Sequence, residues 1–240
     1  MRTADARERA TSRELLAMLR AEASERHRRS AVRLGIPEAE SIGVPVPVIH
    51  RIARSVERSN SLARELWATG VHEARLLAAL VFDPATLSPG EASALLADVQ
   101  SWDLCDHLCN TLFLRIEGYR SLIRLWSDAE PTYTKRAAFA LMASSATHER
   151  ALLEEAVRDY LELIERHSDD PRLHVKKAVS WALREVGQRD LASRDRAAEV
   201  AERLASAAGQ PRAWVGRDAL RDLERMRFVE GKRRLVVVRG

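Results

Sequence analysis

The chain has 240 residues, 46% apolar and 31% charged, a size and balance that can bury a sizeable core and exclude a disordered polymer. Ten Gly and eight Pro are too few for a many-turned all-β protein, and the longest apolar run, Leu76 to Phe82, is too short to cross a bilayer. The net charge of +4 is uneven: residues 1–30 carry +3 and 211–240 carry +5, which leaves −4 on 31–210. Basic ends suit a polyanion, although solvated helix faces and a basic tail would look the same.

Taken in chain order, the elements are helical. Residues 9–30 read as a charged amphipathic helix that stops before Gly35 and Pro37. Gly43-Val44-Pro45-Val46-Pro47 is a rigid connector, and Ile49, Ile52 and Val56 then form one stripe over 48–56. Leu62, Leu66 and Trp67 mark a helix ended by Gly70, and Val71–Val81 is a buried one stopped by Asp83-Pro84. Ser88-Pro89-Gly90-Glu91 combines a capping box with a proline at the first helical position and opens 89–99. Ser101 can cap a helix over 102–116, and further helices are predicted at 118–127, 132–145, 147–167, 171–186, 190–207 and 212–227. Leu235-Val236-Val237-Val238 reads as a short strand or an ordered tail, with no sheet elsewhere. Short helices paired every 30–45 residues predict an all-α chain, an α-solenoid of HEAT-like repeats with a concave basic face. We expect a single domain over 1–240, with 230–240 a basic C-terminal tail; an irregular helical bundle is the alternative.

Three segments can carry chemistry. In Ser101-Trp102-Asp103-Leu104-Cys105-Asp106-His107, the stripe Trp102, Cys105, Cys109, Leu112 and Ile116 is a core face. Asp106 lies one turn after Trp102 at the edge of that stripe, so an indole and a carboxylate share a face. That pairing suits a cationic or oxocarbenium-like centre, or simply an ion pair with a neighbouring helix. His107 points away from Cys105 and Cys109 on a helix and no fourth ligand is evident, so core thiols rather than a metal site are expected. The two cysteines, four apart on a helix, form no disulfide framework, which with the charged N-terminus reads as a reducing, cytoplasmic setting. In the second segment Lys135 and Arg136 sit near a helix start ahead of small residues, where an acidic partner or a phosphate would relieve the helix dipole. In the third, Lys177, Trp181 and Arg184 share a face, with Lys176 beside them: an aromatic platform between cations, or a half-buried Trp covered by basic stems.

Together Trp-Asp-x-x-Asp at 102–106, Lys-Arg-Ala-Ala at 135–138 and Lys-Lys-Ala-x-x-Trp-Ala-Leu-Arg-Glu at 176–185 resemble the AlkD family of bacterial DNA alkylation-repair glycosylases, over about residues 31–225. The resemblance implies excision of N3- and N7-alkylated purines from duplex DNA without a metal or other cofactor, in the cytoplasm at the nucleoid. It implies that Asp106 is the catalytic carboxylate, that Trp102 and Trp181 pack against the lesion's deoxyribose, and that Arg136 holds a nearby phosphate. Lys135, Lys176, Lys177 and Arg184 would bind the DNA backbone. A monomer with no obligate protein partner and no membrane association is expected, monofunctional because no lysine is committed to a Schiff base. Some relatives of this fold lack the carboxylate, so a non-catalytic binder of branched or damaged DNA is the alternative. A protein-interaction solenoid is the third reading, and it predicts Asp106, Trp102, Arg136 and Trp181 scattered apart.

Overall fold

The computed structural model describes residues 10–238. They fall into two compact units, Met1–Ser88 with Arg115–Glu117, and Pro89–Leu114 with Gly118–Gly240. Arg2, Arg7, Arg9 and Arg239, which contribute to the basic ends, lie outside the described residues.

The first unit is built from α1 (Ser12–Ala21), α2 (Glu25–Arg33), α3 (Val46–Ala53), α4 (Asn60–Ala68) and α5 (His72–Val81), followed by a 3₁₀ turn at Pro84–Thr86. The single helix expected over 9–30 is two. A capping box between Thr11 and Glu14 opens α1. The chain then breaks at Ser24, whose backbone is extended and whose N–H is donated to the Gly43 carbonyl at 3.0 Å. Gly43 has φ +81°, and a Cβ there would lie 2.3 Å from the Ser24 oxygen. A contact from nineteen residues away therefore ends α1, and no local pattern announces it. The same loop is held from below by Glu73, a 2% exposed carboxylate. It accepts from the Ser41 hydroxyl and from the N–H groups of Ile42, Gly43 and Val44 at 2.7–3.3 Å.

The second unit holds α6 (Pro89–Ala97), α7 (Trp102–Thr111), α8 (Tyr119–Ser127), α9 (Thr132–His148), α10 (Glu154–Arg166), α11 (Leu173–Gly187), α12 (Leu191–Ser206) and α13 (Gln210–Leu223). A two-stranded antiparallel ribbon follows, pairing β1 (Met226–Arg227) with β2 (Val236–Val237). The strand expected in the tail exists, but its partner lies where α13 was expected to continue to 227. The helix expected over 147–167 is also shorter. α9 runs on to His148, with the Ser144 and Thr147 hydroxyls donating to the Ala140 and Ala143 carbonyls inside the helix. Glu149 then turns extended, its carboxylate taken by Tyr119 and Arg120 and its carbonyl by Arg189, so α10 starts only at Glu154.

Cross-helix bonds reveal an order that the sequence hides. Arg136 reaches the carbonyl of His174, Thr147 bonds Glu185, Ser180 bonds Asp218 and Arg184 bonds Asp222, each pair 38 residues apart. A constant offset between helices means that they run parallel, so α9, α11 and α13 form a row. α7 joins the row beside α9 through Asp106–Arg136, 30 residues apart. On the other side Arg203 pairs with Glu165, again 38 apart, placing α10 and α12 in a second row. Two rows of parallel helices are stacked helical hairpins, each burying its apolar face on the next.

The α12–α13 hairpin depends on Gly216. A Cβ there would lie 2.3 Å from the Ala205 nitrogen and 2.4 Å from the Ala201 oxygen, both backbone atoms that cannot rotate away. Gly216→Ala should therefore force α13 off α12 and cost about 2–3 kcal/mol, the upper part of the overpacking range, despite alanine's better helix propensity. A urea melt checks this; a midpoint at or above that of the parent would contradict it.

Candidate active site

α7, α9 and α11 bring two of the expected residues, Asp106 and Arg136, into contact. Asp106, on the second turn of α7, accepts two bonds from Arg136 on the second turn of α9: Nε to Oδ1 at 2.9 Å and Nη2 to Oδ2 at 2.7 Å. Nη1 of Arg136 is donated to the His174 carbonyl on α11 at 2.7 Å. The guanidinium thus ties three helices together with all three of its nitrogens, and Arg136 is only 6% exposed. α9 can approach this closely because Ala137, Ala138 and Ala140 follow Arg136 and are fully buried.

Burial pushes the Asp106 carboxyl up from its ordinary value; the bonds from Arg136 and its charge pull it part of the way back, and Asp103 adds to the rise. For Arg136 burial works against the cation, but the bonds and charge of Asp106 outweigh it and the net direction is upward. Two charge-assisted bonds in a fork geometry favour the ionised pair. Each Asp106 oxygen gives one lone pair to Arg136, so the carboxylate keeps acceptor capacity on its 17% exposed side chain.

Trp102 opens α7 one turn before Asp106 and is half-buried. Trp181, on α11, is half-buried too, and its indole N–H is donated to Glu185 Oε1 at 3.1 Å. His174 and Tyr133, which have no role in the sequence reading, lie with their rings tilted and their centroids 5.6 Å apart. Burial lowers the His174 pKa, as do the charges of Arg136 and Lys177, while Asp106 opposes them. The imidazole is therefore neutral at pH 7. The sequence signal for His174 was its place one turn ahead of Lys177–Lys176 on the helix that carries Trp181.

The expected backbone-binding cations are differently placed. Lys135 Nζ lies 3.2 Å from Asp170 Oδ2, with its side chain 15% exposed. Lys176 Nζ sits over the Trp214 ring at 5.0 Å. Arg184 pairs with Asp222 at 2.8 Å. Lys177 is exposed on α11. Cys105 and Cys109 are buried with their sulfurs against the Tyr133 and Ala137 carbonyls of α9, and burial pushes the Cys109 thiol well up. Among the described residues no group of three or more His, Cys, Asp or Glu side chains is placed to hold a metal ion, and no helix is long and apolar enough to cross a membrane.

Asp170, the partner of Lys135, was read from sequence only as a helix start signal. Its carboxylate accepts from the Arg172 backbone N–H at 3.0 Å, from Arg172 Nε at 2.9 Å and from Nη2 at 2.5 Å. Burial alone would raise this carboxyl, but the Arg172 bonds and Lys135 outweigh it and hold it at about 2, against 3.8 ordinarily. A depressed folded-state pKa stabilises above the unfolded value and is lost as the pH falls through the folded one. Asp170→Asn should therefore lose about 2 kcal/mol at pH 7, and the difference from the parent should shrink between about pH 4 and about pH 2. Urea melts across that window check it; a pH-independent gap would mean that the loss comes from packing instead.

Parallel helices stacked in hairpins, with a buried carboxylate–guanidinium pair on the row α7–α9–α11, define an all-α helical-repeat protein of the HEAT-like type. The sequence profile of the family described as DNA alkylation repair enzyme matches residues 15–223, and the chain belongs to that family. A solved structure described as belonging to "a new family of proteins related to the HEAT-like repeat DNA glycosylases with affinity for branched DNA structures" has the same fold. It matches with a TM-score of 0.75 at 20% identity, over 80% of this chain and 83% of that one. A designed armadillo repeat protein matches at 14% identity over 81% of this chain and 98% of that one, but at a TM-score of 0.33 it says nothing about the fold. A search of curated proteins gave no match.

Proposed function

We propose that this protein is a monofunctional DNA glycosylase that excises N3- or N7-alkylated purines from duplex DNA, with Asp106 as its carboxylate. The observation that carries the reading is the Asp106 carboxylate, buried on the α7–α9–α11 row and gripped through both oxygens by the Arg136 fork, which favours its ionised form against burial. An alkylated purine already bears positive charge, so the glycosidic bond breaks with its electron pair leaving on the base. Positive charge then develops on the sugar carbon and ring oxygen. A fixed carboxylate in a water-poor site stabilises that charge more than water would. The lone pairs that Arg136 leaves can accept a proton of the water that adds to the sugar carbon, giving an abasic site and the free base. Arg136 acts here as a positioning residue, since its nitrogens are all engaged inside the protein. On this reading the half-buried Trp102 and Trp181 supply flat apolar surface for the deoxyribose, and the exposed Lys177 contacts a phosphate.

The test is release of 7-methylguanine from methylated duplex DNA by the purified protein, together with alkali-labile rather than spontaneous strand breaks. A second reading has an observation of its own. Arg136 neutralises the charge of Asp106, as it would in a purely structural ion pair, and the structural relative is described as having affinity for branched DNA. On that reading the protein binds branched DNA tightly and releases no base.

A further inference from the structure

The family match ends at residue 223, and the β1–β2 ribbon lies beyond it. A two-stranded ribbon of two residue pairs does not hold together alone in water. Here its base is fastened to the C-terminal end of α11. The Leu235 N–H is donated to the Gln188 carbonyl at 2.9 Å, and the Gln188 side chain returns a bond to the Leu235 carbonyl at 2.8 Å. Arg234 Nη2 is donated to the Glu185 carbonyl at 3.0 Å and to Oε2 at 2.7 Å. Leu235 and Met226 are 3% and 1% exposed, so the base is also packed. The anchoring residue Glu185 is the one that accepts from the Trp181 indole, through its other oxygen. The ribbon therefore springs from the helix of the candidate site about two turns past Trp181, on the order of 10 Å along the axis.

The tip is the opposite of the base. Residues 227–233 are all exposed. Phe228 is 69% exposed and Val229 39% exposed, an aromatic and a branched side chain in water with no packing to explain them. Around them stand Arg227, Lys232 and Arg233 against the single acid Glu230. Lys232 and Arg233 make no ion pair among the described residues. A rigidly based ribbon with a solvent-exposed phenyl ring between unpaired cations matches a polyanion that also presents flat apolar faces. Nucleic acid with unstacked bases is that ligand.

We propose that the ribbon is a second DNA-contacting element. Phe228 stacks on an unpaired or unstacked base while Lys232 and Arg233 hold the flanking phosphates. The inference rests on the DNA reading above, but it assigns residues outside the family match and a ligand feature, an unstacked base, that the Asp106 site does not need.

The experiment compares the full-length protein with Phe228→Ala and with Lys232→Ala/Arg233→Ala. The probes are a plain duplex and a duplex interrupted by a short single-stranded gap carrying 2-aminopurine. All three proteins should melt alike, because the substituted side chains are exposed. Phe228→Ala should bind the gapped probe about tenfold more weakly, within the range for one base stacked on an aromatic ring, should lose the 2-aminopurine quenching, and should bind the plain duplex nearly as the parent does. The double variant should weaken binding to both probes and flatten the slope of log affinity against log salt by about 1.5–2. Parent-like affinity, quenching and salt slope in both variants would overturn the proposal while leaving the DNA reading standing. A parent protein that binds neither probe at low salt would end both. Loss of binding to phosphatidylserine vesicles in Phe228→Ala, with DNA binding intact, would assign the tip to a membrane surface instead.

Discussion

Asp106→Asn is expected to lower 7-methylguanine release by about 10²–10³, the usual cost of removing one preorganised electrostatic contact at a centre that develops charge. The amide keeps the shape of the side chain but has no charge to set against the sugar cation. The Arg136 fork makes the substitution costly for folding as well. Nε and Nη2 of Arg136 both point at the carboxylate. In the variant one of them meets the amide oxygen, while the other meets an amide NH₂, donor against donor. Removing one partner of a buried ion pair costs about 3–5 kcal/mol, and the remaining bond should keep the loss near the lower end of that range. Rates must therefore be compared at a temperature where both proteins are folded, as shown by their urea melts. DNA affinity should hold or rise, since a carboxylate is removed from beside a polyanion. Release at the parent's rate from fully folded Asp106→Asn would leave the glycosylase reading without its carboxylate.

Much of this fold could be read from the chain because it is made of local signals. The helices α3, α4, α5, α8 and α11 lie within a few residues of where apolar spacing, Gly70, Asp83-Pro84 and Asp170-Pro171 put them. What could not be read depends on contacts between distant residues. The break at Ser24 is set by the Gly43 carbonyl, and the end of α9 by Tyr119, Arg120 and Arg189 gathered on Glu149. The 38-residue repeat is invisible because equivalent positions hold complementary residues rather than similar ones: Ser180 opposite Asp218, Arg184 opposite Asp222, Thr147 opposite Glu185. A repeat built from donor–acceptor pairs between neighbours leaves no self-similarity to detect.

For the candidate site, the sequence says that Asp106 and Arg136 want partners but not that they are each other's. The sequence offers Asp106 either a sugar cation or an ion pair with a neighbouring helix, and Arg136 either a phosphate or an acidic partner; in the structure they are each other's partner. An acidic partner for a cation at a helix start was the right physics for Lys135 too, since Asp170 fills that role. Sequence spacing says which residues share a helix face. It does not say which neighbouring helix that face meets, and an ion pair between α7 and α9 is a fact about the neighbour.

Arg136→Ala should consequently behave as the loss of a positioning residue rather than of a phosphate contact. It removes all three bonds that join α7, α9 and α11, and it leaves the Asp106 carboxylate buried without its cation. The expected stability loss is about 3–5 kcal/mol. Burial already pushes the Asp106 carboxyl up, and Arg136 is the main influence pulling it down. Without it the carboxyl titrates at higher pH, so less of it is ionised near neutrality. Base release should fall steeply at pH 7 and recover as the pH rises, which moves the acid limb of the pH–rate profile upward. Arg136→Lys keeps the charge but not the fork, and should fold better while showing a smaller shift of the same sign. Lys135→Ala, which costs Asp170 one of several partners, should shift neither limb. If Arg136 instead held a DNA phosphate, the damage would appear as weaker binding and a flatter salt slope, with the pH–rate profile unmoved. Measuring affinity, salt slope and the pH profile on Arg136→Lys therefore decides between the two roles even if the alanine variant does not fold.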